Sequence, residues 1–221
     1  MRTHRLRFVA LLPILAFVGI GACLLSGCGD AASDHILIVL DAGHGGRDPG
    51  AICDGVREAD VNLAITERVA ALIEADDRLD VKRTRTLDIS VSLEKRIAIA
   101  NDAAAALYLS VQSNACEYPE ATGVVTLVSD KLDAGAPSWQ FAEVLQDAVT
   151  AATGARDRGV CAQDLYLHRA EMPAALIEVG FLTNHGERTQ LTDPAYQQTI
   201  AQGIYDGIVA YLEYADPSFG E

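Results

Sequence analysis

Ile36-Leu37-Ile38-Val39-Leu40 is five consecutive apolar residues running into the glycine-rich turn Asp41-Ala42-Gly43-His44-Gly45-Gly46. A β-branched-rich run without alternation reads as a strand buried on both faces, and such a strand needs helices above and below it. The rest of the chain supplies them. Val61 to Ile73 reads as a helix with Val61, Leu63, Ala64, Val69, Leu72 and Ile73 on or near one side. Leu79 to Arg83 alternates as a short strand, and Ser92 can cap a helix running through Ile97 to Ala106. Leu107 to Val111 and Gly123 to Ser129 read as strands, and Trp139 to Thr153 as an amphipathic helix. Leu165 to Leu167 and Ala174 to Val179 complete the strands, and Asp193-Pro194 opens a last helix reaching about Tyr214. Strands alternating with helices predict a single α/β domain with a mainly parallel twisted sheet and helices on both faces. Functional groups then collect at the carboxyl ends of the strands.

The N-terminus indicates where such a domain works. Arg2, Arg5 and Arg7 precede Phe8 to Leu25, a mostly apolar run without charge, and Leu25-Ser26-Gly27-Cys28 places small residues before a cysteine. This predicts a lipoprotein signal over residues 1–28 with Cys28 as the lipidated residue, a linker over 29–35, a domain over 36–215 and a tail over 216–221. Cys23 is a weaker cleavage point, and an uncleaved single-span anchor is the alternative. Each reading leaves the domain extracytoplasmic and anchored to the cell membrane. Without the three signal arginines the formal charge of −14 falls to −17. Nucleic acid is therefore excluded as a partner, since binding phosphates needs clustered Lys and Arg. A monomer is expected. Cys53, Cys116 and Cys161 remain after the signal; a disulfide at the rim, a soft metal ligand and plain thiols are all open.

Four positions carry chemistry: His44, Glu58, Gln112 and Glu178. His44 follows a buried strand among glycines that allow a tight turn and close approach, which suits an imidazole metal ligand or a capping histidine. Glu58 precedes a helix, where the dipole favours a carboxylate. Glu178 closes an apolar run; desolvation there raises its pKa and suits it to general acid–base work, unless Arg169 or Arg158 pairs with it. Asn114, Arg85 and Arg169 are polar candidates near the same rim. Arg85 can hold a peptide carboxylate bidentately or pair with Asp88. The chain has no phosphate-binding loop of nucleotide type and no serine nucleophile elbow.

Taken in order, Asp41 to Gly46, Glu58 ahead of Asn62-Leu63, Thr84-Arg85 with Asp88, Ala100-Asn101, Ser110-Val111-Gln112-Ser113-Asn114, Arg158-Gly159-Val160 and Pro173 to Asn184 resemble the third class of N-acetylmuramoyl-L-alanine amidases, zinc enzymes that cut peptidoglycan. The resemblance spans about Ile36 to Leu212. It implies zinc held by His44, Glu58 and the residue at 112, with Glu178 activating water. It also implies hydrolysis of the amide between the lactyl group of N-acetylmuramic acid and L-alanine. Gln112 departs from the pattern, which carries histidine there. Gln112 then ligates weakly, or Cys116 or His168 substitutes, or metal is lost. His168 stands where the family has an apolar residue. Loss of metal would make the chain a silent relative that binds peptidoglycan or a partner and regulates; an amidase for another amide is a third reading. Some relatives carry a helix that blocks the cleft. Cys116 to Thr122 is too short for one, so an open cleft is expected.

Overall fold

The computed structural model describes residues 35–220, so the predicted signal, Cys28 and nearly all of the linker lie outside the described residues. The strands are β1 (Ile36–Ala42), β2 (Ile52–Cys53), β3 (Val56–Arg57), β4 (Leu79–Arg83), β5 (Leu107–Asn114), β6 (Val124–Ser129), β7 (Asp157–Gln163) and β8 (Ala174–Phe181). The helices are α1 (Glu58–Ile73), α2 (Leu93–Asp102), α3 (Pro137–Thr153), α4 (His185–Leu191) and α5 (Pro194–Ala215). Six strands form one sheet in the order β4-β1-β5-β8-β6-β7, and β2 with β3 makes a separate hairpin. Every neighbouring pair in the large sheet is parallel except β6 with β8. The expected α/β fold is therefore present, with one reversal.

Side chains alternate across the sheet, and each face has its own core. Ile38, Leu40, Leu107, Leu109, Val111, Ala175, Ile177 and Val179 meet Val61 and Ile65 of α1, Phe141 and Leu145 of α3, and Ile200, Ile204 and Ile208 of α5. Burying each of the Val, Leu, Ile and Phe side chains among these stabilises by roughly 1.5–3 kcal/mol. The opposite face is thinner. Val39, Tyr108, Val125, Leu127, Ala174 and Leu176 meet Ile97 and Ala100 of α2 and Leu167 of a 3₁₀ turn over Tyr166–Arg169. One helix and one turn do not cover six strands, so part of this face is left as a cleft.

Several elements differ from expectation for identifiable reasons. Helix α2 stops at Asp102, not Ala106. Ala104 takes a left-handed conformation (φ 48), and the bonds Ala105 N to Ala100 O and Ala104 N to Asn101 O close the helix in a Schellman pattern without glycine. Leu165 to Leu167 enters the 3₁₀ turn, and the strand is β7, a mostly exposed edge whose polar sequence hides it. The β2–β3 hairpin turns at Asp54-Gly55, both with positive φ, as a two-residue turn demands. Cys53, Cys116 and Cys161 are free thiols, so the rim disulfide does not form.

Two buried arginines hold the turn after β1. Arg96 donates to Asp41 Oδ1 at 2.5 Å, to Ala42 O at 2.7 Å and to His44 O at 2.6 Å. Arg85 donates to Ala42 O at 2.8 Å, to Gly43 O at 2.9 Å, to Ala59 O at 2.8 Å and to Leu87 O at 3.2 Å. Arg85 is 2% exposed, and its donors are spent on backbone carbonyls. The expectation that it binds a peptide carboxylate is corrected: it braces the turn and the start of α1. Asp88, its other expected partner, bonds to Gly46 N and Arg57 instead. Replacing Arg85 by methionine leaves buried carbonyls without donors, and urea unfolding is expected to show a loss of roughly 2–4 kcal/mol. Arg83 sits in half-exposed pairs with Glu67 and Glu74; Arg83→Met is expected to cost less than about 1 kcal/mol. Equal losses would contradict the bracing role.

Candidate active site

His44 is held in the left-handed region (φ 61), uncommon for a residue with a side chain. Its neighbours must be small: a Cβ at Gly45 would lie 2.5 Å from Ile89 O, and one at Gly46 would lie 2.4 Å from Ser90 N. The turn aims the imidazole between two carboxylates. Nδ1 lies 2.8 Å from Asp48 Oδ2, and Nε2 lies 3.2 Å from Glu58 Oε1. The hydrogen bond and charge of Glu58, with those of Asp48, push the His44 pKa up to about 9, although burial works the other way.

Glu58 is the first residue of α1 and 5% exposed. Its Oε2 accepts from Ala51 N at 3.0 Å, and its Oε1 accepts from Asn62 Nδ2 and Ser113 N, both at 3.3 Å. The helix N-terminus favours the charge there. The His44–Glu58 pair fits a cation. Two ligands of a tetrahedral zinc at ~2.0–2.2 Å stand about 3.3 Å apart, close to the 3.2 Å seen. Asp48 on Nδ1 is the outer partner that fixes the imidazole tautomer in such sites.

The third donor is where the site thins. Among the described residues no group of three His, Cys, Asp or Glu side chains could hold a metal ion. Neither Cys116 nor His168 therefore completes the site. The Cys116 thiol lies against Tyr118 O, and His168 Nδ1 donates to Leu165 O at 2.9 Å. What remains is Gln112. Ser110 Oγ donates its proton to Asp41 Oδ2 at 2.8 Å, so its lone pair accepts Gln112 Nε2 at 3.3 Å. That bond fixes the amide nitrogen toward Ser110 and leaves the amide oxygen as the free end. A Cβ at residue 43 would lie 2.6 Å from Gln112 Cγ, so the glycine there makes room for this side chain.

Glu178 lies directly across from Gln112 in the β5–β8 register, on the same face of the sheet. An extra residue in β8 before Phe181, which pairs with Asn114, makes a bulge beside it. Asn114 Nδ2 donates to Glu178 Oε2. Burial, then the charge of Glu58, push the Glu178 pKa up to about 7. Neither Arg158 nor Arg169 forms an ion pair with it among the described residues; Arg158 bonds to Thr122 O and lies over the Phe181 ring. Asp41, His44, Asp48, Gln112 and Glu178 line one cleft of about 730 Å³ that runs past Leu127 and Leu176 to Arg169. Residues 115–123 form turns and irregular backbone, with no helix over this opening. The sequence reading missed Asp48, whose signal was an acidic residue four positions after the candidate histidine, and the supporting roles of Asp41 and Arg96.

A family model described as N-acetylmuramoyl-L-alanine amidase matches residues 38–210. The chain belongs to this amidase family. It is 37% identical over 175 residues to the N-acetylmuramoyl-L-alanine amidase LytC of Bacillus subtilis (strain 168), covering 79% of this chain and 35% of LytC. The chain thus spans about a third of that relative's length. It is 34% identical over 202 residues to protein YqiI of the same organism, covering 90% of this chain and 96% of YqiI. The crystal structure of an N-acetylmuramoyl-L-alanine amidase from Clostridium difficile 630 superposes with a TM-score of 0.78 at 32% identity, covering 82% of this chain and 98% of the other. Within this fold His44 meets Glu58, and His44, Gln112 and Glu178 line one cleft.

The raised pKa of Glu178 in this amidase domain has a stability consequence whose sign is fixed. A carboxyl with an ordinary value of 4.5 and a folded value of about 7 destabilises the folded state where it must ionise. The cost is absent below the ordinary value and complete above the folded value. With metal stripped by a chelator, Glu178→Gln is expected to be more stable than the parent at pH 8, by no more than about 3 kcal/mol. It is expected to match the parent near pH 4. Denaturant melts at the two pH values check this; no gain at pH 8 would contradict the buried-carboxyl assignment.

Proposed function

We propose that this chain hydrolyses the amide between the lactyl group of N-acetylmuramic acid and the L-alanine that begins the peptidoglycan stem peptide. The observation that carries the reading is Glu178: a largely buried carboxyl, poised near neutrality and held by Asn114, sharing a cleft with His44. The residues that would hold zinc are His44 through Nε2, Glu58 through a carboxylate oxygen and Gln112 through its amide oxygen. Bound there, zinc would polarise the scissile carbonyl and ease deprotonation of water. Glu178 takes a proton from the attacking water and delivers it to the alanine nitrogen as the carbon–nitrogen bond breaks. Asp48 and the turn glycines keep the His44 ring aimed; Asn114 keeps one Glu178 oxygen fixed.

The proposal extends to place. Cys28 would carry the lipid that anchors the domain outside the cytoplasmic membrane, within reach of peptidoglycan. Among the described residues no helix is long and apolar enough to cross a membrane. The net charge of −17 after the signal leaves substrate binding to shape and local contacts. A monomer is sufficient, since every residue named belongs to one chain. A second reading has one observation in its favour: with Gln112 at the third position, only two strong donors stand together. On that reading the chain binds peptidoglycan without cutting it.

Incubating the full-length chain with purified peptidoglycan and zinc is expected to yield stem peptides beginning with free L-alanine and glycan bearing free lactyl carboxylates, both read by mass spectrometry. Glu178→Gln is expected to lower kcat by roughly 10²–10⁴. Release of any other fragment would remove the assignment. Retention on insoluble peptidoglycan without cleavage would favour the second reading.

A further inference from the structure

The end of the cleft away from His44 is walled by the 3₁₀ turn Tyr166–Arg169, and this turn is fixed from several sides. Asn101 Nδ2 donates to Arg169 O at 3.0 Å, while its Oδ1 accepts from Glu171 N at 3.1 Å. Ser129 Oγ donates to Leu165 O at 3.0 Å. The Arg169 guanidinium lies 4.3 Å from the centre of the Tyr166 ring, a stacking that limits where it can point. Asn101, singled out in the sequence and unused by the chemistry above, thus clasps the arginine's backbone to α2.

The charge on Arg169 is the one to explain. The other cations along the cleft are answered: Arg96 by Asp41 at 2.5 Å and Lys131 by Asp164 at 2.6 Å. Among the described residues Arg169 makes no ion pair and its guanidinium no hydrogen bond. Glu94 senses its charge but is engaged by the Tyr166 hydroxyl and Ser92. Arg169 is exposed where it lines the cleft, so this cation, held by its stacking on Tyr166, is free to meet an anion from outside.

Its distance from the reacting end suits a peptide. β6 runs antiparallel to β8 with Val125 opposite Glu178 and Leu127 opposite Leu176. Ser129, which holds the turn, is four residues beyond Val125; at ~3.3 Å per residue it stands about 13 Å from Glu178 along the strand. An extended peptide advances about 3.3–3.6 Å per residue. A carboxylate on the second residue after the scissile bond therefore reaches part of the way, and an arginine side chain spans the remainder. The floor between is apolar, Leu127 and Leu176, and suits the alanine methyl.

We propose that Arg169, positioned by Asn101 and Tyr166, binds the free carboxylate of the acidic stem-peptide residue that follows L-alanine, and so discriminates against its carboxamide form. A guanidinium pairs bidentately with a carboxylate and has no acceptor for an amide N–H. The inference rests on the amidase reading for its substrate, and the test separates the two. L-alanyl-γ-D-glutamate and its α-carboxamide are titrated calorimetrically against the full-length chain, Arg169→Gln and Lys131→Gln. The parent and Lys131→Gln are expected to bind the carboxylate form roughly five- to twentyfold more tightly; Arg169→Gln is expected to bind both alike. Equal binding by the parent, discrimination that survives in Arg169→Gln, or no binding of either dipeptide would overturn the subsite. In hydrolysis of the matching muramoyl dipeptides, Arg169→Gln is expected to raise KM for the carboxylate form and leave kcat unchanged. Arg169-dependent binding without hydrolysis by the parent would remove the amidase reading and keep the subsite. Equal hydrolysis of both forms by the parent would do the reverse.

Discussion

One buried carboxylate organises this molecule. Asp41 accepts from Thr84 Oγ1, Arg96 Nη1 and Ser110 Oγ, which come from the end of β4, from α2 and from β5. It thereby ties three neighbouring strands to the one helix that covers the cleft face. Arg96 continues from Asp41 to the carbonyls of Ala42 and His44, and Arg85 takes those of Ala42 and Gly43. Removing either member of the buried Asp41–Arg96 pair strands a charge in the interior, which typically costs roughly 3–5 kcal/mol. The backbone at 42–44 is over-determined as a result, and that is what lets His44 occupy a left-handed conformation without glycine's freedom.

The same carboxylate reaches the reacting end twice. Through Arg96 and the turn it sets His44 against Glu58. Through Ser110 it sets which end of the Gln112 amide is free. The two glutamates then divide by environment. Glu58 sits at a helix N-terminus, accepts three hydrogen bonds and faces the His44 ring. Glu178 accepts one such bond, is largely buried, and feels the charge of Glu58, conditions that favour the acid near neutrality. One carboxyl group set against His44 and another largely buried beside the same cleft offer one group to hold a cation and one to move a proton.

Much of this was legible in the sequence, and the parts that were not share a cause. Buried strands announce themselves, so β1, β5, β6 and β8 were visible as apolar runs, and His44 and Glu178 followed from their places at strand ends. β7 was not, because an exposed edge has no apolar face to show. The end of α2 was hidden because Ala104 does the work usually given to glycine. Arg85 was misplaced because sequence shows an arginine near the motifs but not which way it turns; its donors face backbone carbonyls, a partner that leaves no trace in residue identity. Asn114 was placed at the right end of the sheet, but its bond to Glu178 was hidden for a similar reason: a bulge in β8 decides that meeting.

The proposed hydrolysis needs His44, Glu58 and Gln112 to form a working metal site despite the amide at the third position. Calorimetric titration of zinc into the metal-free full-length chain, beside Gln112→His, tests it most directly. One zinc per chain is expected in both, with the parent weaker by at least about tenfold, since a neutral amide oxygen replaces an imidazole nitrogen. Saturable binding by the variant and none by the parent would contradict it, and the chain would then be a member of an amidase family that has given up its metal.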